Sequence, residues 1–225
     1  MLVGCNIVLM NYLLSHTRFI LVFLFISWSL NAQVALPTFQ GVLFAGSVTT
    51  IEDFESGSWR WDPWAVTSSS GSVSSSHAHD GSRGLTDPDW VYRTDVTFGN
   101  TAGKKLSVWA RPSSNSGGRF YFGFSASATG TRKLVMAPNT TVFSFMEGGN
   151  WNYTVKSSTS QSYTANKWYK LEVEYLGNGE YTGRLYDSDG TTVLNTLTYD
   201  FGDEQSGGVA LRSFGTISID TIELQ

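Results

Sequence analysis

The stretch WYKLEVEY, Trp168 to Tyr175, alternates without a break: Tyr169, Leu171, Val173 and Tyr175 form one row, and Trp168, Lys170, Glu172 and Glu174 the other. A strand turns successive side chains to opposite faces, so a period of two buries one row and hydrates the other. Gly177-Asn178-Gly179 follows after Leu176, and these residues accept the positive φ that a tight hairpin requires. Working outward, the same period governs Lys104 to Arg111 (KKLSVWAR), with Leu106, Val108 and Ala110 opposite Ser107, Trp109 and Arg111. It also governs Arg119 to Phe124 (RFYFGF), with Phe120, Phe122 and Phe124 opposite Arg119, Tyr121 and Gly123.

Turn signals separate such runs at Ser116-Gly117-Gly118, Glu147-Gly148-Gly149-Asn150, Asp187-Ser188-Asp189-Gly190 and Gly207-Gly208, and Asp189-Gly190 marks a second hairpin. With 41% apolar and 15% charged residues the chain has enough to bury, and 23 glycines suit many short strands. The expectation is one antiparallel all-β sandwich of roughly ten to twelve strands over residues 51–225. Trp59, Trp61 and Trp64 in SWRWDPW are read as core or edge packing.

The N-terminus reads as a signal peptide. His16 and Arg18 precede an apolar run, Phe19 to Leu30, and Asn31-Ala32 supplies a small residue for cleavage before Gln33. Twelve apolar residues fall short of the roughly 20 that a spanning helix needs, so stable membrane insertion after cleavage is not expected. The domain plan is therefore a signal peptide over 1–32, a lead-in or linker over 33–50 and the sandwich after it. A secreted, extracellular or cell-surface location follows.

Cys5, the only cysteine, lies in the segment to be removed, which excludes disulfides and thiolate chemistry from the mature chain. The net charge of −4 becomes one unit more negative without Arg18, and no cluster of Lys and Arg marks a nucleic-acid partner. No Gly-x-Ser-x-Gly elbow supports a serine nucleophile.

Three stretches together resemble the concanavalin A-like (laminin-G-like) jelly-roll domains: Ile51 to Leu85, with IEDFESGSW and HAHDGSRGL; LSVWARPSSNSGGRFYFGF, Leu106 to Phe124; and Trp168 to Leu224. The first is also similar to jelly-roll carbohydrate-binding modules. The resemblance implies a jelly-roll sandwich but no particular function, since lectins, polysaccharide-cleaving enzymes and adhesion modules share this fold. Jelly-roll glucanases carry two Glu flanking an Asp at alternate positions. Glu172-Val173-Glu174 has the alternation without the third carboxylate, and His77-Ala78-His79-Asp80 lacks the rest of a hydrolase metal motif. A non-catalytic reading is preferred.

Sugar rings stack on Trp and Tyr while their hydroxyls seek polar side chains. The candidate ligand residues are Trp90, Tyr92, Arg93, Trp109, Arg111, Arg119, Tyr121, Trp151 and Tyr153, with Trp109 and Tyr121 neighbours if their strands pair. The expected partner is a polysaccharide or glycoconjugate. The alternative is a structural or adhesive surface protein without glycan binding, favoured by a flat Ser/Thr surface. The resemblance also implies a structural calcium ion held by Asp53 or Glu55 at the opening and Asp220 at the close. The other reading of these carboxylates is that Asp220 accepts hydrogen bonds from a neighbouring strand or turn and that Asp53 and Glu55 are solvated edge residues.

Overall fold

A computed structural model describes residues 47–57, 59, 62–66, 71–149 and 152–225. The segment read as a signal peptide, most of the lead-in, Trp61 and Trp151 lie outside these residues. The described chain runs through β1 (Thr49–Glu52), β2 (Ala65–Val66), β3 (Ser72–Ser74), β4 (Gly84–Thr86), β5 (Val91–Phe98), β6 (Lys105–Pro112), β7 (Arg119–Ser127) and β8 (Gly130–Ala137). It continues with β9 (Val142–Gly149), β10 (Thr154–Ser160), β11 (Tyr169–Gly177), β12 (Glu180–Tyr186), β13 (Val193–Asp200), β14 (Gly207–Phe214) and β15 (Ile217–Leu224). Among the described residues no helix is long and apolar enough to cross a membrane.

Two antiparallel sheets hold these strands. Sheet A has the order β13-β12-β11-β6-β15-β4-β3, with β1 also paired to β15, and sheet B the order β10-β9-β8-β7-β14-β5-β2. The jelly-roll sandwich expected from the sequence is thus present. The strand number exceeds ten to twelve because short strands such as β2, β3 and β4 carry too few residues to show a period.

The alternation decides which row is buried. Tyr169, Leu171, Val173 and Tyr175 of β11 meet Phe120, Phe122 and Phe124 of β7 in one core, together with Leu106, Val108, Ile219 and Leu134. Burying each large apolar side chain contributes about 1.5–3 kcal/mol before entropy is counted. Trp59 and Trp64 belong to the same core, as their packing role predicted. Between β11 and β12 the turn residues Asn178 and Gly179 have φ of 53° and 85°. This is the left-handed pair that a two-residue hairpin needs. The β12–β13 hairpin closes through a wider loop, in which Asp189 accepts from the amides of Thr191 and Thr192 at 2.8 Å.

Two meanders, β7 to β10 and β11 to β13, supply the long neighbours of each sheet. Apart from the β3–β4 pair in A, the chain elsewhere alternates between sheets, with β5 in B, β6 in A and β7 in B, then β13 in A, β14 in B and β15 in A. That crossing corrects one expectation. β6 and β7 do not pair, so Trp109 on β6 and Tyr121 on β7 face outward from opposite sides of the sandwich rather than side by side.

Candidate functional site

The outward row of sheet B can be followed strand by strand from the register. Phe120, Phe122 and Phe124 point inward, so Arg119, Tyr121 and Gly123 of β7 point out. Tyr121 stands opposite Arg212 of β14 on one side and Val135 of β8 on the other. One row further along, Gly123 stands between Ala210 and Lys133, and Tyr92 of β5 lies beyond Ala210. A Cβ on Gly123 would come within 2.7 Å of the Ala210 side chain, so the close approach of these strands requires glycine there.

Aromatic and cationic side chains interleave on this face. Tyr121 lies 5.8 Å from Trp90, 5.1 Å from Tyr153 and 6.4 Å from Phe214, centroid to centroid. Lys133 Nζ is 5.4 Å from the Trp90 ring and 5.7 Å from Tyr153. The Arg212 guanidinium is 5.3 Å from Trp90 and 5.6 Å from Tyr121, and that of Arg119 is 5.9 Å from Tyr121. The ladder therefore runs Tyr153, Lys133, Trp90, Arg212, Tyr121, Arg119. Tyr121 and Trp90 form its buried floor, while Tyr153 and Phe214 present 42% and 41% of their surface to solvent.

The cations here have few partners of opposite charge. Arg119 donates to Tyr121 Oη at 3.4 Å, and at 3.3 Å to both Asn139 Oδ1 and Thr140 Oγ1. Lys133, fully buried, donates to the Asn152 carbonyl at 3.2 Å. An ammonium has three donors, so two are left without a protein acceptor among the described residues. Burial lowers the Lys133 pKa to about 8, with Arg212 pushing the same way and Glu147 opposing. Burial raises the Tyr121 phenol to about 12, aided by Tyr153 and opposed by Arg119. The Ser144 hydroxyl, on the outward row of β9, is buried with no hydrogen-bond partner. Beyond Lys133 along β8, Thr131 opens onto a hydroxyl-rich cleft of about 360 Å³ shared with Ser127, Thr129, Thr154 and the Lys156–Glu147 pair.

Of the residues singled out from sequence, Trp90, Tyr92, Arg119, Tyr121 and Tyr153 are brought to this face. Trp151 lies outside the described residues. Trp109 and Arg111 belong to the outer side of sheet A: Trp109 stacks on His79 at 3.9 Å, and Arg111 lies 4.9 Å from the Trp168 ring and donates to Ser218 Oγ. Arg93 is buried and tied to Asp95 at 2.6 Å, Glu52 at 3.5 Å and the Ile51 carbonyl, a structural ion pair and not a ligand contact. Three participants were not singled out, namely Lys133, Arg212 and Phe214. The alternation of GVALRSF would have placed Arg212 opposite Leu211, but nothing in sequence shows which strands flank Tyr121.

Of the carboxylates proposed for calcium, Asp53 and Glu55 line a pocket of about 210 Å³ with Thr50, Asp80, Gly81 and Thr221, and Asp220 is turned to backbone amides instead. Asp220, fully buried, accepts from the amides of His79 at 2.6 Å, Asp80 at 3.0 Å and Thr221 at 2.8 Å. Glu55 accepts from the Ser82 amide and hydroxyl and the Arg83 amide, and Asp53 from the Glu55 amide. No group of three or more His, Cys, Asp or Glu side chains among the described residues is placed to hold a metal. Asp220 fastens the HAHD turn to β15, and its partners are backbone amides. Glu172 and Glu174 are likewise engaged, both accepting from Arg184 Nη1, at 3.0 and 2.7 Å.

Residues 90–222 match the family described as SO2946-like, C-terminal domain. Carbohydrate-binding module CBM66 from Bacillus subtilis is similar in structure, with a TM-score of 0.56 and 11% identity over 72% of this chain and 95% of that one. A protein of unknown function, SO2946 from Shewanella oneidensis MR-1, aligns with a TM-score of 0.49 and 15% identity, over 79% of this chain and 84% of that one. Galectin LEC-6 from Caenorhabditis elegans aligns at 0.42 and 12%, over 58% and 89%. No curated protein matches the chain.

Proposed function

The chain belongs to the SO2946-like C-terminal domain family, and from that premise we propose that it is a secreted, non-catalytic glycan-binding domain that holds sugar rings on the outer face of sheet B. One observation carries the reading: the exposed Tyr153 and Phe214 rings both lie against the Tyr121 ring, and the guanidinium groups of Arg212 and Arg119 lie beside that same ring. An aromatic face offers stacking to the C–H side of a sugar, and guanidinium donors reach its hydroxyls. The fold shared with a carbohydrate-binding module supports this use of the scaffold. A non-catalytic role is supported by the engagement of Glu172 and Glu174 with Arg184, because glycoside hydrolysis asks for a carboxyl pair free to exchange protons across a substrate.

Affinity measurements against a panel of polysaccharides test the reading. Binding is expected to be lost in Tyr153→Ala and Phe214→Ala and kept in Trp109→Ala, which alters the opposite face. Retention in the first two variants, or binding to no polysaccharide, would favour a structural or adhesive surface protein. Export through residues 1–32 is part of the same proposal, and mass spectrometry of the secreted protein should find a new N-terminus near Gln33.

A further inference from the structure

We propose that the ligand of the Tyr121 face is an acidic glycan, one whose sugar rings carry carboxylate or sulfate groups. The inference rests on the glycan reading above and adds the charge of the ligand to it. Arg119, Lys133 and Arg212 come from three adjacent strands onto one side of sheet B. Among the described residues no hydrogen bond or ion pair engages the Arg212 guanidinium, and Lys133 makes one hydrogen bond, to a backbone carbonyl. The carboxylate that bears on Lys133, Glu147, is itself held by Arg132 and Lys156 at 3.0 Å each. Aromatic rings lie beside all three cations, but a ring quadrupole supplies attraction without an acceptor atom. The Arg212 donors therefore remain to be used, while Arg119 is held by Tyr121, Asn139 and Thr140 and buried Lys133 contributes its charge from below the surface.

Position and surroundings favour an anion over a neutral sugar. Buried Lys133 acts through a poorly screening medium, so its charge is felt more strongly on the face than a solvated lysine would be. The unpartnered Ser144 hydroxyl adds a polar group on the same row. Against a chain whose net charge is −4, this face is a local reversal of sign, and a polyanion repelled elsewhere is guided to it. The rings between the cations keep the stacking function of a sugar platform, which separates this face from a bare phosphate or nucleic-acid patch.

Titration calorimetry of the purified full chain decides the matter with two matched pairs: polygalacturonate against its fully methyl-esterified form, and dextran sulfate against dextran. At least one acidic member should bind about tenfold or more tightly than its neutral counterpart, since charge-assisted hydrogen bonds are roughly twice as strong as neutral ones. The preference should shrink as salt rises. Polygalacturonate alone assigns the anion as a carboxylate, and dextran sulfate alone as a sulfate ester. Arg212→Gln and Arg119→Gln should each erase most of the preference with the melting temperature unchanged. Equal binding of acidic and neutral partners, lost in Tyr153→Ala, overturns the charge assignment and leaves the glycan reading standing. Acid preference indifferent to both arginine substitutions also overturns it. Binding to none of these nor to the wider panel overturns both.

Discussion

The outer faces of the two sheets are built on the same scaffold and treat charge in opposite ways. On sheet A, Arg184 bridges Glu172 and Glu174, Lys105 lies 3.9 Å from Glu172, Lys170 lies 3.7 Å from Glu223, and Tyr186 donates to Glu172. Each of those charges is answered by a neighbour on the same sheet. On sheet B, Arg119, Lys133 and Arg212 are set among Trp90, Tyr121 and Tyr153. A face that neutralises itself offers a ligand only shape, whereas one that keeps unanswered donors offers free energy on contact. For this reason the proposed binding face is placed on sheet B although aromatic residues occur on both.

The largest effect expected from breaking the comparison is at Tyr121. Tyr121→Ala removes a fully buried ring from the floor of the platform and should cost about 3–5 kcal/mol, read as a lower denaturant midpoint, with loss of glycan binding. Next comes Asp220→Ala, which leaves the His79, Asp80 and Thr221 amides without their acceptor and should cost about 1–3 kcal/mol. The same geometry predicts that added Ca²⁺ or a chelator leaves the melting temperature where it was, since a cation bound only by the native state would raise it. A rise with Ca²⁺ would return Asp53, Glu55 and Asp220 to the role of ligands.

Lys133 gives a smaller, pH-dependent signature. Its pKa is about 8 in the folded chain against 10.5 for an unperturbed lysine, so above pH 8 the unfolded state binds more protons than the native one. Stability should therefore rise from about pH 8 toward 10, by at most about 1.4 kcal/mol per pH unit. Tyr121 and Tyr186, both raised to about 12, reverse the slope above pH 10, where unfolded tyrosines lose their protons first. Lys133→Met should flatten the rise in denaturant titrations across that window. The smallest effect is on sheet A: Arg184→Gln should cost about 1 kcal/mol or less, because a partly exposed pair loses much of its attraction to water. A larger loss there would mean that the network stores more than local neutrality.

The sandwich was legible because alternation is a property of single strands, and KKLSVWAR, RFYFGF and WYKLEVEY each carried it in full. Which strands pair is decided by the register between segments far apart in sequence, and no residue states it. Trp109 and Tyr121 illustrate the limit. Each was rightly placed opposite its own core row, yet the chain changes sheets between them and sends them to opposite sides. Arg93 failed for another reason, since a buried arginine paired with Asp95 and Glu52 looks the same in sequence as one waiting for a ligand. Lys133 and Arg212 were missed because their meaning lies in the rings beside them, which come from other strands.

The strands β14 and β15 occupy the middle of the two sheets, β14 between β7 and β5 and β15 between β6 and β4, with β1 on β15 as well. Until residues 207–224 are available, each sheet exists as two fragments with raw backbone edges facing one another across a gap. Closing the gap brings together segments more than a hundred residues apart, such as Leu85 with Ile219 and Val91 with Leu211. Long loops of this kind must lose their entropy before the pairing rewards it, which makes folding slow and late. The two sheets should therefore close only once β14 and β15 have been synthesised, one strand entering each sheet, and the Tyr121–Arg212 neighbourhood is assembled only at that step.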